Sequence, residues 1–341
     1  MILRVKEIMN SITTSNFRIV NTDAALRDLA DELSGHKLLA VDLEADSMYH
    51  FKEKVCLLQL AAGHSVMVVD PLQIEDLSPL GPVFASPDIV KIFHGADYDI
   101  RSLYRDFQFK IKNLFDTEIA CRFLGTRESG LGAVLGERFD VRLNKKFQRK
   151  DWSQRPLPEE MITYAAEDVI YLARLREALL SDLARKHRTA WVMEECRLLS
   201  TVRPADDNHQ PLYLKFKGAG RLNGRSLAAL ENLLQVRKAL ARKKDRPLFK
   251  ILGNPPIMKM ALARPRTVNQ LIRLKALSKR QIDMYSQAFV DAIQQALEMP
   301  RQDLPVYTRK RAPVLPAEVP IRIKVLKKWR NQRAAAIGLD P

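Results

Sequence analysis

Asp42 and Glu44, Asp99, and Tyr164 with Asp168 are the residues of this chain whose types and spacing best suit chemistry. The first pair sits in Leu38-Leu39-Ala40-Val41-Asp42-Leu43-Glu44, whose apolar lead-in reads as a buried strand. Residues two apart on a strand share a face, so both carboxylates point the same way. The last pair sits in Tyr164-Ala165-Ala166-Glu167-Asp168, where apolar spacing predicts a helix and positions four apart are neighbours. Phenol and carboxylate can then meet at one point. Four carboxylates gathered together repel one another unless cations neutralise them. Oxygen-only ligands, with no clustered Cys or His, favour Mg²⁺ or Mn²⁺ over zinc. Two such ions could activate a water and stabilise the leaving oxygen of a phosphodiester.

The elements that must position these groups alternate between strand and helix in the first part of the chain, which predicts an α/β domain. Expected strands are Phe17 to Val20, Leu38 to Glu44, Val55 to Ala61, Ser65 to Asp70 and Val90 to His94. Short loops join the middle three into an antiparallel meander. Helices are expected at Thr22 to Leu33, from Asp97 through Tyr104, at Asp116 to Leu124, at Leu131 to Phe139, from Pro158 to about Leu183, and at Thr189 to Ser200. Asp97 reads as the cap of the helix carrying Asp99. The boundaries expected are a first domain over 1–204, a linker over 205–223, an all-helical bundle over 224–300 and a basic, proline-punctuated tail over 301–341. Within that tail, Ile321 to Ile337 has helical spacing and echoes Leu234 to Leu240, as the first helix of a truncated second bundle would.

The formal charge of +16 on 341 residues is unevenly divided. Residues 1–204 hold 28 Lys+Arg against 30 Asp+Glu; the remainder holds 28 against 10, or +18. Such asymmetry points to a polyanionic partner gripped through its phosphates. Anionic membrane is the weaker alternative, since no long basic amphipathic helix with an aromatic anchoring face stands out and no apolar run is long enough to span a bilayer. Met1 to Ser15 lacks the apolar block of a secretory signal, and Cys56, Cys121 and Cys196 are isolated. A soluble protein of a reducing cytoplasm with buried, inert thiols is the expectation.

The stretches Val41-Asp42-Leu43-Glu44 with Val55-Cys56-Leu57-Leu58-Gln59-Leu60, then His94-Gly95-Ala96-Asp97-Tyr98-Asp99, then Tyr164-Ala165-Ala166-Glu167-Asp168, resemble the three motifs of the DEDDy 3′–5′ exonucleases. Phe115-Asp116-Thr117 and Asp151-Trp152-Ser153-Gln154-Arg155-Pro156-Leu157 narrow the resemblance to ribonuclease D. Leu234 with Arg237, Arg246 to Leu252, Pro265 with Thr267, and Tyr285 are similar to the HRDC domain that ribonuclease D shares with RecQ helicases. The resemblance implies a ribonuclease H-like mixed-sheet exonuclease domain followed by an all-α HRDC-type bundle. It implies a metal-dependent exoribonuclease that trims tRNA precursors or other small structured RNAs and releases nucleoside 5′-monophosphates. Asp42, Glu44, Asp99 and Asp168 would hold two Mg²⁺ or Mn²⁺ ions, and Tyr164 would orient the attacking water. His94, Trp152, Arg155 and the Arg242-Lys243-Lys244 run are candidate substrate contacts, each with an ordinary structural role as its alternative. Leu43 and Ala45 depart from the family pattern, which commonly has Thr and an aromatic residue there. A Werner-type DNA exonuclease and a non-catalytic RNA-binding protein are the competing functions.

Overall fold

The computed structural model describes residues 17–204, 210–308 and 315–340. The N-terminal stretch before Phe17, the 205–209 part of the expected linker and the 309–314 part of the tail lie outside the described residues. The chain forms two units. One comprises 1–46, 54–205 and 315–341, and the other 47–53 with 206–314.

The first unit is built on a six-stranded mixed sheet of β1 (Phe17–Val20), β2 (Leu38–Ala45), β3 (Val55–Ala62), β4 (Ser65–Val69), β5 (Val90–Phe93) and β6 (Leu114–Asp116). The order is β1-β4-β3-β2-β5-β6, with β2, β3 and β4 an antiparallel meander and β1, β5 and β6 joined parallel to their neighbours. Strand alternation splits β2 between two cores. Leu39, Val41 and Leu43 pack into the larger cluster with Leu26, Leu29, Phe93 and Phe115. Ala40 belongs to the opposite cluster with Leu57, Tyr164, Ala165 and Val169. Asp42 and Glu44 share the parity of Ala40, and so they are presented towards the side on which the helix of Tyr164 packs.

The helices of this unit are α1 (Asp23–Ser34), α2 (Gly81–Ala85), α3 (Asp97–Phe107), α4 (Thr117–Leu124), α5 (Leu131–Phe139), α6 (Glu159–Ile170), α7 (Leu172–Arg185) and α8 (Thr189–Leu199). Thr22 caps α1 through its side chain, as expected from its type. The continuous helix expected from Pro158 to about Leu183 is two, divided at Tyr171. Apolar periodicity runs through the break because Val169, Leu172 and Leu175 are all buried, so pattern alone does not register it. Asp97 is not a cap. It opens α3 as the first helical residue and forks onto Arg101 one turn later, Oδ1 and Oδ2 accepting at 2.7 and 2.9 Å.

The second unit is helical: α9 (Gly224–Lys243), α10 (Leu248–Ile251), α11 (Asn254–Ala263), α12 (Val268–Leu274) and α13 (Lys279–Glu298) surround a core of Leu230, Leu233, Leu234, Met260, Leu271 and Phe289. Asn223 caps α9, and Ser278 with Gln281 forms a capping box on α13. A final helix, α14 (Glu318–Ile337), corresponds to the one expected in the tail, and it groups with the first unit. Among the described residues no helix is long and apolar enough to cross a membrane.

Candidate active site

Three segments bring the acidic set together. The β2 strand supplies Asp42 and Glu44; α3 supplies Asp99, buried in its first turn; α6 supplies Tyr164 and Asp168. The turn from β5 into α3 is held by Asp116, whose carboxylate accepts from Gly95 N (3.0 Å) and Ala96 N (2.7 Å) while also capping α4 at Glu118 N and Ile119 N. Gly95 is needed there: its φ is +78°, and a Cβ would lie 2.9 Å from Glu118 Oε2. Asp116 therefore fixes where Asp99 enters the site.

Electrostatics record how closely the carboxylates crowd. Burial, and then Asp42, Asp168 and Asp99, push the Glu44 carboxyl up to about 9. Asp168 is pushed up to about 8 by burial and by Asp42 and Glu167. Asp42 rises to about 6 through burial, against the opposing Leu43 backbone hydrogen bond. Asp99 is raised by burial and by Asp42, Asp116 and Asp97. The Tyr164 phenol is raised by burial and by Asp168, Glu44 and Asp42, so it stays neutral at ordinary pH. Among the described residues no three His, Cys, Asp or Glu side chains stand ready-made as metal ligands. Yet the donor set suits a hard cation. It is all oxygen, and its carboxyls are pushed towards the protonated form by burial first and then by neighbouring carboxylates, which a cation would relieve. Both amide atoms of Gln59, the cross-strand partner of Asp42, are buried without a hydrogen-bond partner, leaving polar capacity beside that set.

A cavity of about 340 Å³ opens at this point, lined by Asp42, His94, Tyr164 and Asp168 together with Asn144, Lys145 and Gln148. His94 is thus brought to the site. Its Nδ1 lies 2.9 Å from Thr117 Oγ1, and that hydroxyl donates its own proton to Phe93 O. Nδ1 can then donate a ring proton to that hydroxyl, and a backbone hydrogen bond at Ser129 also engages the ring. Burial lowers the pKa of this imidazole, which favours the neutral form.

Trp152 and Arg155 turn inward. Trp152 is buried, its ring 6.1 Å from that of Tyr164, which Phe147 meets edge-on at 5.7 Å. Arg155 forks onto Asp70, with Nε to Oδ2 and Nη2 to Oδ1 both 2.6 Å, and also donates to the carbonyls of Cys56, Trp152 and Gln154. It clamps the 151–157 loop to the sheet and so holds the aromatic wall behind Tyr164. Asn144, Lys145 and Gln148 were missed by sequence reasoning; the only signal was a polar and basic run on both sides of Phe147.

In the helical unit the Arg242-Lys243-Lys244 run divides. Arg242 stacks over Phe51 at 5.7 Å, and Lys244 lies 4.7 Å from the Tyr285 ring centroid. Lys244 also lines an open cavity with Arg246, Lys250 and Arg280, and that cavity has no acidic residue in its wall. Lys243 is exposed.

Comparison with known proteins adds an independent line. A 3′–5′ exonuclease family profile matches residues 17–184, and an HRDC domain profile matches residues 226–293. Ribonuclease D of Haemophilus influenzae is 28% identical over 307 residues, covering 89% of this chain and 76% of that protein. Ribonuclease D of Pseudomonas paraeruginosa is 28% identical over 97% of this chain and 87% of its own length. Exosome complex component 10 of mouse is 31% identical over 92% of this chain, though only 36% of that longer protein is spanned. Among solved structures, Escherichia coli RNase D, described as an exoribonuclease involved in structured RNA processing, superposes with a TM-score of 0.77 at 26% identity, covering 95% of this chain and 86% of that one. The catalytic core of RRP6 from Trypanosoma brucei gives 0.72 at 29% identity, over 84% and 81%. A likeness that runs through both domains and most of the length of its bacterial relatives makes this chain a member of the ribonuclease D family, and with it a 3′–5′ exoribonuclease.

Proposed function

We propose that this protein trims the 3′ ends of tRNA precursors or other small structured RNAs in the cytoplasm, releasing nucleoside 5′-monophosphates by two-metal hydrolysis. The observation that carries the reading is the mutual crowding of Asp42, Glu44, Asp99 and Asp168, with Asp42 and Asp168 lining one cavity together with Tyr164 and Lys145. A negative cluster facing phosphates serves no binding purpose by itself, which argues against a non-catalytic RNA-binding protein. Asp42, Glu44, Asp99 and Asp168 would hold two Mg²⁺ or Mn²⁺ ions, whose chemistry when bound is to acidify a water and stabilise the leaving oxygen.

The chain's own groups supply the rest. Tyr164, neutral and braced by Trp152 and Phe147, offers a phenol that orients the attacking water. His94, lining the same cavity, offers its imidazole to a hydroxyl of the terminal nucleotide. Lys145 faces the phosphate charge, and Asn144 and Gln148 offer polar contacts to sugar or base. The basic wall of Lys244, Arg246, Lys250 and Arg280 on the helical unit grips RNA away from the reacting end. The three free, buried thiols suit a reducing compartment.

The test is degradation of a 3′-extended tRNA beside a matched DNA strand, with and without chelator, products resolved by length. Stepwise monophosphate release from the RNA, abolished by chelator and by Asp42→Ala or Asp168→Ala with RNA affinity retained, is the expected result. Shortening of DNA alone would replace the RNA assignment with a DNA exonuclease.

A further inference from the structure

We infer that α14 is an RNA-binding arm, anchored on the exonuclease unit beside the wall of the catalytic cavity; the inference rests on the RNA-trimming reading above. The helix has an anchored end and a free length. At the anchored end Arg188, itself only 7% exposed, donates Nη1 to Phe123 O at 2.7 Å and Nη2 to Ile337 O, tying the last turns of α4 and α14 to one guanidinium. Gly125, at φ +89°, meets the carbonyl of Gly338 so closely that a Cβ would lie 2.3 Å from its oxygen. Ala334 is buried, and Leu339 and Asp340 line a cavity of about 460 Å³ with Glu118, Arg122, Arg127 and Ser129. Ser129 donates to Glu118 and directly precedes Gly130, which lines the cavity of Asp42, Tyr164 and Asp168. The arm is therefore rooted next to the loop that walls the site.

From Pro320 to Arg333 every residue of the helix is exposed. That length carries Arg322, Lys324, Lys327, Lys328, Arg330 and Arg333, and the only acid of the whole helix is Glu318. It also exposes Ile321, Val325 and Trp329, at positions i, i+4 and i+8 and so on one stripe, with Trp329 61% exposed. Arg322 and Lys328 flank the stripe, and Leu326 falls among the cations, so apolar and basic residues are interleaved around the helix. A helix that lies on lipid segregates them into two faces. A polyanion with stackable bases fits the interleaved arrangement, with phosphates on the Lys and Arg ridges and a base on the indole.

The experiment uses the full chain and a hairpin RNA with a single-stranded 3′ extension. The variants are Trp329→Ala, the triple Lys324→Gln/Lys327→Gln/Lys328→Gln, and Gly125→Ala, which unseats the arm without altering its surface. Trp329→Ala should weaken affinity about tenfold, the loss of one stacked base. The triple variant should lower the slope of log affinity against log salt by about 2, as three single-strand phosphate contacts are lost. Gly125→Ala should reproduce part of both effects, and hydrolysis of a dinucleotide should be unchanged in all three. Parental affinity and slope in the Trp329 and triple-Gln variants would overturn the proposal. So would an unchanged RNA affinity accompanied by loss of binding to phosphatidylglycerol vesicles or by loss of a dimer in sedimentation. If the parent binds RNA through the arm and yet leaves its 3′ end intact, the arm stands and the hydrolytic reading fails.

Discussion

Replacing Glu44 by Gln should stabilise the metal-free protein while ending its activity. The Glu44 carboxyl, ordinarily near 4.5, is held at about 9 by burial and by the charges of Asp42, Asp168 and Asp99. At pH 7 the unfolded chain ionises this group while the metal-free native state keeps it protonated. That difference costs the fold about 1.4 kcal/mol for each pH unit between 4.5 and 7, or up to about 3 kcal/mol. Solvent reaches this half-buried side chain and screens it, so about 2 kcal/mol is the expected gain on substitution. The sign follows from linkage. A raised native pKa contributes stability that is complete below pH 4.5 and is lost as pH rises towards 9. In chelator, urea denaturation of the parent should show stability falling across that window, with a shallower fall for Glu44→Gln. With saturating Mg²⁺ or Mn²⁺ the order should reverse, because an ion that binds only the native parent adds its binding free energy to stability. A Gln variant no more stable than the parent in chelator, or pH slopes that run parallel, would refute the crowding argument.

Tyr164→Phe removes the phenol while keeping the ring against Trp152 and Phe147; kcat should fall about 100-fold with an unchanged denaturation midpoint, read by single-turnover hydrolysis. Arg155→Leu leaves Asp70 buried and short of its partner, and should cost about 3–5 kcal/mol by chemical denaturation. In the same variant kcat should fall more than KM rises if Arg155 acts by bracing the wall behind Tyr164. Lys91 is fully buried, donates to Ser86 O and Ile89 O, and is held down to about 8 by burial and by Lys112. Its depressed native pKa makes stability rise from pH 8 towards 10.5, and Lys91→Met should flatten that rise in denaturation series. Burial pushes the thiols of Cys56, Cys121 and Cys196 up to about 12, so iodoacetamide at pH 8 should label all three only after unfolding, as counted by mass spectrometry.

Much of the site was legible before any coordinates, because two local periodicities did the work. A period of two put Asp42 and Glu44 on one face of β2, and a spacing of four put Tyr164 and Asp168 on one face of α6. Each depends on backbone geometry within a few residues, and the three motifs in order then identified the family. Their meeting point depends on long-range packing. Asp116, far from Asp99 in sequence, sets the turn that aims it, and Thr117 holds the His94 ring through Nδ1. Arg155 and Trp152 show the same limit: a basic and an aromatic residue in a loop read equally well as substrate contacts, and only Asp70 and Tyr164, brought near by folding, draw them inward. The break at Tyr171 escaped notice because apolar spacing continues across it.

The amino-acid sequence by itself determined the chemistry, the alternation of strand and helix, and the concentration of positive charge after residue 204, since residue type, period and net charge are local or additive properties. The tertiary structure alone decided how strongly the carboxylates repel, that Asn144, Lys145 and Gln148 wall the cavity, and that α14 groups with the exonuclease unit. Desolvation, through-space charge and docking arise only when distant segments become neighbours, and no spacing along the chain encodes that approach.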